Sequence, residues 1–578
     1  MDKEILHTVR SVMGCMLVTA LAAGCAQEDI GNDPSEGGGM SATSYVSLSF
    51  ASPQGTPTRA NPTGGETGDG QETGQDYENA ITSAVAFFYQ GTDQKGVNSG
   101  GNTQIKAVVS FSNITTYTTP GNGIDRTYTT SPQQVDLDDG TYNVLVVANP
   151  GADWWTGKSL TLDDVRDHTQ TTAWTASGSD YSDFVMTSAA DATLTLNSNP
   201  ESDPATAEVN VERMAARLDY KTTGTYTCTD PDYESNNQKA TVEITGAALV
   251  NNLTAGSYLL KRVADDVKGT NLSYLGDETA DENGVATNYV LDPWTASKNG
   301  NLYGTWFMNG SPDPNWWAGY VQPGTSVSDG AETWQRIGYT LENTTAAEEA
   351  GKRYSTGVVF KAKFHPAKVT SYTNSTYTDG ATFFAYGKTL YASMEDMMIG
   401  FYGHKFDNGF SDIKECKTWG KVRQFITSTL LTNDPSGYDK YLEGLAKGKA
   451  DADAVADADA SSLTWSYYML NECGYSKDGN GKVVLDQKGK VTRIALQRYG
   501  TRTYEDATCY YTWWVRHSND NDDTKKGIME YAIVRNNIYK LTVESVYSLG
   551  DPVPGDKGLR VKVYVNNWLL LDPETLPM

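Results

Sequence analysis

Apolar and polar residues alternate along most of this chain, and the alternation predicts strands rather than helices. In Tyr45-Val46-Ser47-Leu48-Ser49-Phe50 the residues Val46, Leu48 and Phe50 share one face, which predicts a short half-buried strand. Gly-, Asp- and Ser-rich sequence precedes it, and Pro53, Gly55, Pro57, Arg59 and a Gly/Thr/Glu/Asp stretch to about Asp76 follow. A strand set between two flexible segments must pair with something distant, and the exposed Arg59 beside it is an accessible protease target. From Ile81 the strand pattern is continuous: Val85–Tyr89, Val108–Phe111, Thr141–Val147, Phe184–Met186, Thr193–Leu196 and Ala207–Arg213, punctuated by Gly, Asn, Pro and Asp. That spacing suits a β-sandwich.

The polar stretch Thr229 to Gln238 reads as a linker, and a second β-rich region begins at Ala240-Thr241-Val242. It includes Gly357–Phe364, Thr382–Tyr386, Tyr510–Trp514 and Asn537–Val543. Between about 415 and 470 the period changes: Val422, Phe425, Ile426 and Leu430 recur at helical spacing, predicting a helical insertion. The Ala/Asp run from Asp451 to Ala460 reads as a solvated helix or loop. Pro552 to Gly558 reads as a second linker, after which Val561, Val563 and Val565 alternate on one face of a terminal strand.

Composition sharpens this into an all-β, exported protein. With 578 residues, two or three domains are expected, and 55 Gly, 35 Tyr and 13 Trp favour pleated strands and turns. The formal net charge of -26, without a dense Lys/Arg block, argues against nucleic acid as a partner. At the start, Lys3 and Arg10 precede an apolar stretch from Val12 to Ala23 that is too short to span a bilayer. It ends Leu21-Ala22-Ala23-Gly24-Cys25 and resembles a bacterial lipoprotein signal, in which Cys25 becomes the acylated N-terminus. Leu21 lies one place early and Cys15 interrupts the apolar run, so an ordinary signal peptide is the alternative. Attachment to the outer membrane would then be by lipid. Of the remaining cysteines, Cys416 with Cys473 is the first pairing to consider; Cys228 and Cys509 complete the set, and free buried thiols are equally compatible.

Candidate chemistry is sparse, and no enzyme is expected. His168, His365, His404 and His517 stand in no catalytic or metal-binding spacing, and no nucleophile elbow, zinc-protease or phosphate-loop motif occurs. Asp520, Asp522 and Asp523 lack the Gly and Glu of a calcium-binding EF-hand loop and read as an acidic turn. Trp306, Trp316 and Trp317 read either as a sugar platform or, more commonly in a sandwich, as packing. No cofactor or metal is expected.

Several segments resemble the Bacteroidetes-type fimbrillins. Val209-Asn210-Val211-Glu212-Arg213-Met214-Ala215-Ala216-Arg217-Leu218 is similar to the V-x-V-E-R-x-x-A-R segment closing their first domain. Tyr510-Tyr511-Thr512-Trp513 followed by Val534-Arg535-Asn536-Asn537-Ile538-Tyr539 is similar to their second-domain signature, and Tyr339–Thr344 and the Val561–Trp568 strand add to it. The likeness is nearest to the Mfa-type major subunit of short fimbriae. It implies two tandem transthyretin-like β-sandwich domains: signal 1–25, propeptide 26–59, first sandwich 60–236, second sandwich 237–550 with the insertion near 415–470, and linker plus donor strand 551–578. It further implies cleavage between Arg59 and Ala60, loss of the strand carrying Val46, Leu48 and Phe50, and filling of the groove by Val561, Val563 and Val565 of another copy.

A sandwich missing one strand exposes unpaired backbone and apolar core, which supports that reading physically. The expected product is a stalk subunit of a surface fimbrium, with copies of itself and other fimbrial subunits as partners and a host or bacterial surface ligand as a further partner. Two alternatives remain: both terminal strands belong to their own sheets, or the chain is a monomeric surface lipoprotein that binds glycan or host protein.

Overall fold

The computed structural model describes residues 43–570, apart from internal stretches of which 397–500 is the longest; 52–69, 92–99, 119–125, 265–271, 275–288, 307–316, 346–349 and 518–528 are the other main ones. The helical insertion, Cys25, Arg59, Ala60, Trp316, His404, Cys416, Cys473 and the Asp520–Asp523 cluster lie outside the described residues.

The elements that position the site are, in chain order, β1 (Thr43–Ala51), β2 (Gln71–Thr73), α1 (Asp76–Asn79), β3 (Ser83–Tyr89), β4 (Ala107–Ser112), β5 (Thr115–Thr118), β6 (Arg126–Thr129), β7 (Gln133–Asp136) and β8 (Gly140–Ala148). They continue with β9 (Met186–Ser188), β10 (Ala192–Leu196), β11 (Ala205–Arg213), β12 (Ala215–Lys221), β13 (Thr225–Thr227) and β14 (Thr241–Val250). The last are β15 (Thr325–Asp329), β16 (Glu332–Leu341), β17 (Gly357–His365), β18 (Thr508–Trp514), β19 (Asn537–Ser545) and β20 (Arg560–Leu569). The all-β expectation holds.

The first ladder runs β4-β3-β8-β9-β11-β1-β6-β5, with β10 on β8 and β7 on β1. β11 belongs to two faces of the fold: residues 205–210 pair with β1, and 211–213 pair with β9. The ladder thereby folds around a core in which Val46, Leu48 and Phe50 meet Ala86, Phe88, Val144 and Val146. β3 and β8 are buried on their other face too, where Val85, Phe87, Leu145 and Val147 pack against Leu160, Leu253 and Leu260. Burial on both faces explains why these strands read as unbroken apolar runs. β8 stops where Asn149 takes a left-handed conformation, φ 50°, and its side-chain Nδ2 donates to the carbonyls of Ala80 and Phe184 at 2.8 and 3.0 Å.

Only Met214 separates β11 from β12, and there the chain passes to a second pair of sheets. One has the order β2-β20-β19-β12-β16-β15 and the other β13-β14-β17-β18. Leu218, Leu541, Val563 and Val565 from the first meet Val242, Phe360, Phe364 and Tyr511 from the second.

Three expectations are corrected here. The passage between the two cores lies at Met214, well upstream of 236, because Ala216, Leu218 and Tyr220 already face the second core. Thr229 to Gln238 is not a linker: Glu234–Ser235 pairs with Gln238–Lys239, and Tyr233 packs in the second core. Nor is 552–558 a free arm along its described length, since Asp551 pairs with Tyr510 and Val553 is buried.

Phe360 is fully buried in the second core. Phe360→Ala is expected to lower stability by about 3–5 kcal/mol in urea denaturation, through lost transfer energy and the cavity left behind. Val108→Thr, at a position 36 % exposed, is expected to stay within about 0.5 kcal/mol.

Candidate functional site

β1 is an interior strand although it begins the described chain. Along one side it pairs in parallel with β11, from Val46 opposite Ala205 to Ala51 opposite Asn210. Along the other it pairs antiparallel first with β7 and then with β6. Side chains add to the ladder: the Ser47 hydroxyl donates to the Thr130 carbonyl at 2.9 Å, and the Leu48 amide donates to the Thr130 hydroxyl at 2.8 Å. Val46 and Leu48 are fully buried and Phe50 is 1 % exposed. The three side chains that the sequence placed on one face thus converge on one core. Each stabilises the fold by roughly 1.5–3 kcal/mol on burial. β1 holds its place by backbone pairing, apolar packing and hydrogen bonds to Thr130, with no ion pair among its described contacts.

The other terminal strand, β20, is held by β19 along its length, from Arg560 opposite Ser545 to Asn567 opposite Asn537. On its other side β2 pairs in parallel at residues 567–569. Val563 and Val565 are buried in the second core and Val561 is partly buried against it. In the single chain β20 therefore completes its own sheet.

The motif residues meet at the joint between the two cores. Ala216, Leu218 and Tyr220 point from β12 into the second core, so Arg217 and Asp219 share the opposite face. Arg217 is fully buried. Its guanidinium donates to Asp219 at 2.8 Å, to Glu78 at 2.9 Å and to Glu72. Lys540, opposite Asp219 on β19, donates to the other oxygen of Glu72 at 2.5 Å. Burial alone would lower the affinity of Arg217 for its proton; Asp219, Glu78 and Glu72 overcome this and hold it above the ordinary value. Asp219 is pushed up to about 6 by burial, against the pull of Arg217.

Arg213 covers the next turn of the joint. Its guanidinium lies 4.5 Å from the centre of the Trp568 ring. It donates to the Trp568 carbonyl at 2.9 Å, to the Glu78 carbonyl at 3.1 Å, to Asn536 at 3.2 Å and to the Asn79 side chain. Tyr339 stacks on Trp568 with ring planes 9° apart and donates its hydroxyl to Glu78. Burial and the Glu78 charge hold that phenol protonated. Arg535, also buried, pairs with Glu342 at 2.5 Å and donates to the carbonyls of Leu259 and Tyr258. The Tyr539 hydroxyl accepts from the Val534 amide and lies 2.8 Å from His517. Both signatures therefore stand on buried polar joints.

Glu72, Glu78 and Lys540 carry this joint and were not singled out in the sequence. A local signal existed: Arg217 and Asp219 are opposite charges two residues apart in an otherwise apolar strand, hence on one buried face. Other candidates have ordinary structural settings. Trp317 is fully buried beside Val250, Val359 and Tyr510, and Trp306 packs on Tyr303 and Tyr354 at 5.3 and 5.1 Å. His365 lies 2.8 Å from Asp379, His168 stacks on Trp154, and Cys228 and Cys509 are buried free thiols. Among the described residues no cluster of His, Cys, Asp or Glu is arranged to hold a metal ion.

Arg217→Met is expected to cost about 3–5 kcal/mol in chemical denaturation, because buried Asp219 and Glu78 lose their ion-pair partner and Glu72 is left with Lys540 alone. Lys221→Ala, which breaks an exposed pair with Glu332 at 2.9 Å, is expected to cost no more than about 1 kcal/mol.

Residues 502–573, which span β18, β19 and β20, match the family of the C-terminal region of fimbrillin, the type IV major fimbrial subunit protein. No curated relative matches the chain. Among solved structures, a candidate cell adhesion protein of Parabacteroides distasonis is 11% identical, covering 91% of this chain and 100% of its own, with a TM-score of 0.40. A fimbrilin of Porphyromonas gingivalis is 12% identical over 91% of this chain and 98% of its own, with a TM-score of 0.31. The C-terminally truncated tip fimbrial protein Mfa3 of Porphyromonas gingivalis is 11% identical over 58% of this chain and 84% of its own, with a TM-score of 0.26. The family match falls on residues 502–573, with the Val534–Tyr539 signature at their centre, and the likeness to fimbrillin rests on this region.

Proposed function

We propose that this chain is a structural subunit of a surface fimbrium, built of two tandem transthyretin-like β-sandwiches and assembled by exchange of strands between copies. The fimbrillin match supports the fimbrial, cell-surface and non-catalytic part of this reading. The observation that carries the mechanism is the position of β1. It is an interior strand whose only covalent tie to the rest of the described chain is the segment 52–69, and Arg59 lies in that segment.

In this proposal Cys25 is acylated and carries the precursor to the outer membrane. Cleavage between Arg59 and Ala60 then severs β1 from the body, and the strand is afterwards retained by non-covalent contacts alone. Its departure leaves a groove floored by the first core and edged by the unpaired backbone of β11 on one side and β6 and β7 on the other. Such a groove is a template for another strand. A strand donated by a second copy, with three apolar residues at alternate positions, restores the ladder and the core together. Val561, Val563 and Val565 of β20 have that pattern. Donation by β20 requires its release from β19 in the donor subunit. A head-to-tail contact of this kind does not close on itself and extends as a fibre.

Treatment of the purified full-length precursor with an arginine-specific protease is expected to give Ala60 as the new N-terminus and ladders on unboiled gels. Thr542 and Lys562 face each other across β19 and β20. The pair Thr542→Cys with Lys562→Cys, once oxidised, is expected to hold β20 in place and suppress the ladders until reduced. Ladders that persist in the oxidised protein would assign the donor strand to another segment. Resistance at Arg59, or a cleaved chain that stays monomeric, would instead favour a monomeric surface lipoprotein that binds glycan or host protein.

A further inference from the structure

The segment 70–79 lies just downstream of the cleavage site and is fastened across β20. The Asn567 amide donates to the Gly70 carbonyl at 2.9 Å, and the Gly74 amide donates to the Leu569 carbonyl at 3.0 Å. Between them β2 pairs with residues 567–569. Glu72 then reaches inward to Arg217 and Lys540, and its second oxygen also accepts from Asn566 of β20 at 3.4 Å. Glu78 joins Arg217 and Tyr339, while Asn79 joins Arg213 and donates to the Gly74 carbonyl at 2.7 Å. The fit is close: a Cβ on Gly74 would lie 2.4 Å from the Trp568 indole nitrogen and 2.3 Å from the Asn79 side-chain oxygen. Glu72 and Glu78 are 6 % and 0 % exposed. The segment is thus a strap whose charged anchors sit in the body of the protein and whose backbone holds the last residues of β20.

We infer that residues 70–79 latch β20, so that the C-terminal strand leaves its own sheet only after the strap has withdrawn Glu72 from Arg217 and Lys540. This deepens the strand-exchange proposal and rests on its reading of β20 as the donor. Two features support a latch rather than a passive edge strand. β2 is only three residues long, so its ladder alone is weak, and the anchoring comes from the buried ion pairs of Glu72 and Glu78. The strap also shares one thread with β1. In the precursor residues 52–69 join β1 in the first sheet to β2 in the second, so both ends of the strap are tethered and re-docking after any local opening is intramolecular. Cleavage between Arg59 and Ala60 frees one of those tethers. The cut that lets β1 leave therefore also loosens the strap, which ties the opening of the acceptor groove to the release of the donor.

Glu72→Gln removes the shared anion while keeping the shape of the side chain. After cleavage of the full-length precursor, this variant is expected to form ladders about tenfold faster than the wild type, the effect of losing a hydrogen bond to a charged group. The rate of cleavage at Arg59 is expected to be unchanged. Gln71 and Asn567 face each other across β2 and β20. The pair Gln71→Cys with Asn567→Cys, oxidised, is expected to permit cleavage and block ladder formation, and reduction is expected to restore it. Wild-type ladder rates in Glu72→Gln, together with unhindered ladders in the oxidised strap, would overturn the latch. In that case the Thr542→Cys, Lys562→Cys protein separates the two ideas: ladders blocked there leave β20 as donor without a latch, and ladders formed there remove β20 as donor.

Discussion

A buried guanidinium must find its counter-charges inside the protein, and the arrangement around Arg217 follows from that requirement. Moving one ion out of water costs several kcal/mol even after relaxation, so Arg217 is tolerable only where Asp219, Glu78 and Glu72 arrive together. Glu72 in turn brings Lys540, and Glu78 brings the Tyr339 hydroxyl. These groups come from the strap, from β12, from β16 and from β19. No subset satisfies the site, so the joint forms as a unit or not at all. Against well-packed apolar residues such a cluster gains little net stability, and what it supplies is a unique arrangement of the segments that meet there. It also explains why the passage between the two cores is as short as Met214. A longer tether would leave the charged faces of β11 and β12 free to separate.

The two anchors on the N-terminal thread differ in kind. β1 is retained by apolar side chains, backbone pairing and the Ser47 and Thr130 hydroxyls, with no charged anchor among its described contacts. Another strand with apolar residues at three alternate positions would offer the same groove much of the same chemistry, as the proposed exchange requires. The strap is retained by carboxylates with specific partners, and a substitute would need acids placed as Glu72 and Glu78 are. An apolar strand cannot displace it without leaving Arg217 with Asp219 alone and taking Glu72 from Lys540. Replaceable contacts upstream of Arg59 and irreplaceable ones downstream of Ala60 divide the thread at the place where the proposed cut falls.

Much of the strand architecture was legible because alternation is local. Val46, Leu48 and Phe50 form a face by spacing alone, and the structure buries that face. The segments misread in the sequence fail for the opposite reason. Thr229–Gln238, the described part of 552–558 and residues 70–76 are rich in polar and turn-forming residues, which in isolation describe flexible chain. Residues 70–76 are ordered by partners far away: Glu72 and Arg217 are separated by 145 positions, and Glu72 and Asn566 by 494. Composition cannot register such pairing. The signature residues Arg213, Arg217, Arg535 and Asn536 were recognisable as a pattern, yet their work became visible only when β11, β19 and β20 were seen side by side. The aromatic patch at Trp306 and Trp317 shows the same limit in reverse, since a ring in a β-rich sequence carries no mark of whether it faces solvent or core.

β20 shows what periodicity does and does not specify. Val561, Val563 and Val565 define an apolar face, and a face can be buried against its own sheet or in a groove on another copy. Backbone pairing is equally indifferent to which chain supplies the partner. The difference lies in the residues that are not part of the repeat. Trp568 is clasped by Arg213, Tyr339 and the close approach of Gly74, and Asn566 hydrogen-bonds to Glu72. These contacts anchor the end of the strand in its own chain, whereas the valines carry only the alternating pattern that the proposed exchange would use. A strand with a portable middle and an anchored end can serve two structures in succession, provided something releases the end. In the latch proposal, the strap makes that release depend on the chain segment that the proposed cut at Arg59 would set free.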